Sequence, residues 1–222
     1  MDGMVQSKIV GLGAYTLQEA SRYGSVPPEK LSRWIWGTTQ YDPVIEPELG
    51  SDRIITFHDL VQAKAIQIAR SEGIPLPKIR QAIETAKQAY DVTLPLARKN
   101  HLLWFNGDLH IQLNHIFQVS GKGKHQETAK EIMLPYAKDL HFDAQGLACM
   151  WTPYAKFQRQ IVIDPHRQFG QPLVDKTGYR ADVLWMAYHS EGSYAAAADV
   201  YNVSIEDVKL AVAYMIEVGK AA

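Results

Sequence analysis

Residues Tyr15 to Gly37, Tyr-Thr-Leu-Gln-Glu-Ala-Ser-Arg-Tyr-Gly-Ser-Val-Pro-Pro-Glu-Lys-Leu-Ser-Arg-Trp-Ile-Trp-Gly, leave this chain few ways to fold. Thr16 and Glu19 have the spacing of a capping box, so a helix starts at Leu17, with Tyr15 placed to staple against Ala20. Gly24 is expected to take a positive φ, ending that helix and turning the chain. Pro27 and Pro28 then belong to the first turn of a second helix, where a missing N–H costs nothing. Leu17, Ala20, Val26, Leu31 and Ile35 converge on one small core and leave Lys30, Ser32 and Arg33 toward solvent. Two helices joined this way make either an ordinary αα-hairpin or a helix-turn-helix, whose second helix can enter a major groove.

The residues that follow favour the second reading. From Thr38 to Ile55 the chain turns polar, with Pro43, Pro47 and Gly50 between two β-capable runs near Tyr41–Ile45 and Arg53–Ile55, which predicts a wing. Thr56 and Asp59 form a second capping box opening a helix from Phe57 to about Ser71. Gly73 ends it, and Pro75 and Pro77 flank the start of another helix running to about Tyr90. This order resembles the MerR-type winged helix-turn-helix over about Val10 to Tyr90. Tyr15-Thr-Leu-Gln-Glu-Ala, Leu31-Ser-Arg-Trp34 and Gly73-Ile-Pro-Leu-Pro-Lys-Ile79 carry the resemblance. Trp34-Ile-Trp-Gly37 stands where many MerR activators have a tyrosine pair and an acidic residue, and the effector-sensing cysteines of the metal-responsive members have no counterpart. The resemblance thus implies DNA binding without metal sensing.

A second block runs from Ile161 to Val218: a strand, then helices over about Arg180–His189, Tyr194–Tyr201 and Ile205–Val218. Ser193 caps the second helix, Ser204 and Asp207 the third, and Asn202-Val203 turns between them. Asp164-Pro-His-Arg, Phe169-Gly-Gln-Pro and Ala198-Asp-Val-Tyr201 resemble domain-of-unknown-function family 433, found in VapB-like antitoxins. The whole layout resembles long VapB-type antitoxins, which implies repression of their own operon and neutralisation of a PIN-like ribonuclease toxin. The last helix is apolar over much of its circumference, and Glu206, Asp207 and Glu217 outnumber Lys209. A groove-reading helix needs Lys and Arg, so this one is read as a dimerisation or packing element. If a monomer, the chain could simply bury it.

Composition sets limits. With 23 Lys and Arg against 24 Asp and Glu, the net charge of −1 leaves room only for a local basic face. The lone Cys149 cannot form an intramolecular disulfide, and no apolar run long enough to span a bilayer and no signal-peptide pattern is legible, so a cytoplasmic location is expected. The middle reads as a small sheet: a hairpin over Leu102–Leu113 around Asn106-Gly107, a turn at Asp143–Gly146, and strands at Leu147–Thr152 and Ile161–Ile163. A polar loop at Gly121–His125 and a helix across Thr128–Leu134 are expected between them. The fold class expected is mainly α with a small antiparallel β element, divided as 1–95 (winged helix-turn-helix), 96–160 (connector) and 161–222 (helix-turn-helix-like).

Enzymatic chemistry finds little support. His110 and His115 would point to opposite faces of a strand, and His141 and Cys149 have no ligand motif nearby, so no metal or cofactor is expected. Gly121-Lys-Gly-Lys124 lacks the glycine and the Ser or Thr of a phosphate loop. Asp164-Pro-His166-Arg167 reads as a structural turn in which Asp164 caps the turn or pairs with Arg167. No catalytic triad is legible from spacing. The DNA-facing set expected is Arg33 first, with Lys30 and Ser32 beside it, Thr16 and Arg22 toward phosphates, Trp36 toward the backbone and Arg53 from the wing. Trp34 belongs to the core. One such helix reads few base pairs, so a homodimer on a palindromic double-stranded operator is expected. The alternative is a stand-alone MerR-like transcriptional regulator responding to a small ligand.

Overall fold

The computed structural model describes residues 10–50, 52–105, 108–113, 130–132 and 138–220. Helices dominate, with two antiparallel sheets between the first four and the last three. Helix α1 (Leu17–Gly24) starts on the expected box: Thr16 N–H donates to Glu19 Oε2 at 2.8 Å, and Glu19 N–H donates to Thr16 Oγ1 at 3.2 Å. Its end differs from expectation. Ser25, at φ 52°, takes the left-handed position, and Gly24 stays helical. A Cβ on Gly24 would lie 3.0 Å from Leu60 Cδ1, so the glycine serves close helix packing rather than the turn.

Helix α2 (Pro28–Trp36) buries Leu31, Trp34 and Ile35 and has Pro27 as its N-cap. No wing of paired strands follows among the described residues of 38–55. The Trp34 carbonyl instead accepts both Val44 N–H (2.7 Å) and Ile45 N–H (2.9 Å), and Ile55 pairs with Tyr15. Pro43 and Pro47 remove ladder donors from that segment, and buried Val44 and Ile45 fasten it to α2 instead. Helices α3 (Phe57–Ser71) and α4 (Leu76–Tyr90) follow, α3 opening on the Thr56–Asp59 box.

Strands β1 (Asn100–Phe105), β2 (Asp108–Leu113) and β3 (Lys130–Ile132) form one sheet in the order β2-β1-β3. Phe105 pairs with Asp108 across the expected two-residue turn, although Asn106 and Gly107 themselves lie outside the described residues. Lys130–Ile132, expected within a helix, pairs with Leu102–Trp104. So short a segment holds no helix on its own, and pairing with the edge of β1 decides the matter. The second sheet is β4 (Leu140–Phe142), β5 (Ala148–Lys156), β6 (Arg159–Ile163) and β7 (Leu173–Val174), in that order.

Helices α5 (Ala181–Glu191), α6 (Tyr194–Tyr201) and α7 (Ile205–Lys220) complete the chain. Ser193 caps α6 and Ser204 with Asp207 caps α7 as expected. Most of the apolar circumference of α7 is covered by the chain itself. Val208, Leu210, Ala211, Val212, Tyr214 and Val218 are buried, and Ile205 and Ile216 are exposed.

One hydrophobic cluster runs from Tyr15 through α1 to α4 and on to Ala148, Trp151 and Ile163. The back of α1 is also tied to the distant segment 169–171. Ala14 N–H donates to the Phe169 carbonyl (2.9 Å), Tyr15 Oη to the Gly170 carbonyl (2.8 Å) and Tyr23 Oη to Gln171 Oε1 (2.9 Å). These long-range bonds fix the angle at which the first two helices are presented.

Candidate nucleic-acid interface

Helix α2 separates its residues as an amphipathic helix must. Leu31 and Ile35 are fully buried while Lys30 and Arg33, three positions apart, are exposed on the outside. Arg33 Nε donates to the Glu29 carbonyl at 3.1 Å, which lays the guanidinium along the helix. Ser32 is half-buried between them. Trp34 belongs to the core, whereas Trp36 is half-buried and has the Arg53 guanidinium 5.6 Å from its ring centroid. That cation–π contact joins the loop to the end of α2.

The remaining members of the expected set are placed less favourably for phosphate. Thr16 is exposed, but its hydroxyl donates to Glu19 Oε2 at 2.8 Å, so the start of α1 already holds a carboxylate. That charge opposes a phosphate there. Arg22 is half-buried, with its Nε buried and unpaired among the described residues. Two cations that the sequence did not single out, Arg70 and Arg80, line a cleft with Lys30 and Arg33. They lie about forty to fifty residues away along the chain, and only the packing of α3 against α2 and the bonds of Arg80 to the carbonyls of Asp42 and Pro43 bring them in.

The start of α3 carries a separate, largely buried polar cluster. His58 Nδ1 is 3.1 Å from both Glu48 carboxylate oxygens, and its Nε2 is 3.0 Å from the Ala148 carbonyl. Both ring nitrogens face only acceptors, so both carry protons. Burial works against the imidazolium, but the hydrogen bond and charge of Glu48 outweigh it and hold His58 above its ordinary pKa. Burial likewise raises Glu48, yet bonds from His58 and Thr56 bring it below the ordinary carboxyl value. Asp59, which accepts from Thr56 N–H and Glu48 N–H, is pushed by burial up to about 6.

The other chemical candidates resolve as structural. Asp164 Oδ1 accepts His166 N–H at 2.9 Å, an Asx turn, but Arg167 pairs with Asp175 at 2.9 Å rather than with Asp164. The Asp175 carboxylate is better placed because β7 carries it back beside Arg167. Burial, then Asp143 and Asp164, push the Cys149 thiol up, which makes it a poor nucleophile. Among the described residues no group of three or more His, Cys, Asp or Glu could hold a metal. His115, the His110 side chain and Gly121–Lys124 lie outside the described residues. No helix among them is long and apolar enough to cross a membrane.

No family model matches the chain. It is similar to a Mycobacterium tuberculosis protein named "Putative antitoxin VapB45", with 27% identity over 222 residues, covering 88% of this chain and 90% of that protein. Its fold is similar to that in the X-ray crystal structure of Rv2018 from Mycobacterium tuberculosis. That likeness has a TM-score of 0.62 and 22% identity, covers 89% of this chain and 96% of the other, and is one of fold.

Proposed function

We propose that this chain is a DNA-binding antitoxin of a type II toxin–antitoxin system, which represses its own operon and neutralises a PIN-like ribonuclease toxin. The antitoxin assignment is supported by the named relative, whose similarity extends over most of both chains. The DNA-binding assignment is carried by one observation. Lys30 and Arg33 project from a short helix whose opposite face, Leu31 and Ile35, is locked in the core. A rigid helix with an exposed cationic edge meets both requirements of groove binding: phosphate neutralisation and fixed approach. Arg33 contacts a base or phosphate, Lys30 and Ser32 flank it, and Trp36 with Arg53 supports the contact from the loop. Thr16 and Arg22 complete the proposed set, Thr16 against the opposing charge of Glu19 and Arg22 through a half-buried side chain.

In this reading residues 1–95 bind DNA, 96–160 connect, and 161–222 carry dimerisation or the toxin. The C-terminal helices leave Met186, Val200 and Ile216 exposed for such a partner. The protein acts as a cytoplasmic homodimer without catalytic activity or cofactor. Arg33→Ala is expected to weaken binding to the DNA preceding its own reading frame by about 1–3 kcal/mol at fixed salt, with the melting temperature unchanged. Equal affinities of the two proteins contradict the assignment. Co-expression tests the second half: a toxic PIN-like reading frame is expected beside this chain's own, and this chain restores growth to cells expressing it; absence of such a frame, or failure of the rescue, removes the antitoxin role.

A further inference from the structure

Lys30 and Arg33 line a cleft of about 390 Å³ with Arg70, in the last turn of α3, and Arg80 of α4. No carboxylate is among the residues lining it. The arginines are held by neutral carbonyls, which orient them without cancelling their charge. Arg80 Nη1 donates to Pro43 O at 2.7 Å and Nη2 to Asp42 O; Arg70 Nη1 donates to Ile74 O at 2.8 Å; Arg33 Nε donates to Glu29 O. Lys30 is exposed and makes no ion pair among the described residues. Four like charges sharing one concave space repel one another, and an anion between them relieves that repulsion. The start of α4, whose Leu76 and Pro77 line the same cleft, adds the positive end of a 15-residue helix.

The walls are not only cationic. Trp34, Val44, Leu76 and Pro77 supply apolar surface, and Tyr41, 70% exposed, stands among the lining residues as a free aromatic face. A duplex phosphate has no use for that surface, whereas a small ligand with a charged head and a flat body uses both parts. The volume lies within the range of small-molecule sites, roughly 300–1,000 Å³. We propose that this cleft binds a small phosphate ester with a planar apolar body, of the nucleotide class, and that its occupancy withdraws Lys30 and Arg33 from DNA. The second part rests on the DNA-binding reading above; the first stands without it.

Calorimetric titration of the full chain with adenosine 5′-monophosphate, and separately with inorganic phosphate, tests the site. The nucleotide binds saturably at one site per chain, and inorganic phosphate, lacking the flat body, binds more weakly. Lys30→Glu, a surface change that breaks no bond, weakens the nucleotide about tenfold or more, and Tyr41→Ala weakens it while sparing phosphate. No saturable binding of either probe up to about 10 mM, or binding indifferent to Lys30→Glu, overturns the site. Equal affinity for the two probes overturns the role of the apolar wall. In a DNA-binding assay, saturating nucleotide lowers affinity about tenfold. DNA binding that ignores bound nucleotide overturns the competition. A chain that binds nucleotide here but no DNA keeps the site and removes the repressor reading.

Discussion

Gly170→Ala is expected to lower the thermal midpoint by about 6–12 °C, from a loss of about 3 kcal/mol or more. Gly170 has φ +79°, and a Cβ there would lie 2.3 Å from Tyr15 Oη, 3.0 Å from Tyr15 Cζ and 3.2 Å from Gly13 Cα. Tyr15 cannot swing away, because its side chain is 2% exposed and packed in the core that supports α1. Three costs add: a left-handed alanine, displacement of a packed ring, and loss of the bond from Tyr15 Oη to the Gly170 carbonyl. Gly192→Ala is the control. Gly192 has φ +71° but open space around the added carbon, so it carries only the backbone cost of about 1 kcal/mol. Equal small losses in thermal melts of the two variants contradict the idea that segment 169–171 braces α1.

His58→Gln is the second large effect, about 2–4 kcal/mol near pH 6. It leaves the Glu48 carboxylate, whose side chain is 17% exposed, without its cation. It also removes the bond to Ala148, which joins α3 to β5. The pH dependence has a definite sign. The folded pKa of His58 is raised, so its contribution is whole below the unfolded value of about 6.5 and is lost as pH rises through the folded value. Asp59 is raised from 3.8 to about 6, so its contribution also disappears as pH climbs through about 6. Glu48 is lowered from 4.5, so its contribution is present above that value and is lost on the acid side. Asp59 thus lowers the wild-type denaturation midpoint between about pH 4 and about pH 6, His58 lowers it further as pH rises above about 6.5, and His58→Gln flattens that second decline by up to about 1.4 kcal/mol per pH unit. Parallel curves for the two proteins contradict a charged His58.

What was legible in the sequence was local. The boxes at Thr16–Glu19, Thr56–Asp59 and Ser204–Asp207 are bonds between side chains and backbone three residues apart, and all three form. The start of α3 follows from one of them. What depends on distant partners was not legible. Gly24 reads as a turn residue in the sequence, yet its smallness answers to Leu60 on α3. The β-formers before Ile45 and Ile55 suggested a ladder, but Trp34 and Tyr15 took their hydrogen bonds. The His58 cluster unites residues from the loop, α3 and β5, and no spacing rule announces it. In the candidate interface, Lys30 and Arg33 followed from helical periodicity alone. Arg70 and Arg80 required the tertiary packing, and the Glu19 carboxylate beside Thr16 was already implied by the capping box.

The claim on which the functional account depends is that the Lys30–Arg33 edge of α2 lies in a major groove. Methylation interference at guanine N7, on duplex DNA preceding the chain's own reading frame, tests it most directly, because that atom is presented only in the major groove. The account predicts that N7 methylation blocks binding at guanines in two half-sites about 10 base pairs apart, or a multiple of that spacing. Binding that tolerates methylation at every guanine, or that selects no duplex over an unrelated one, contradicts it.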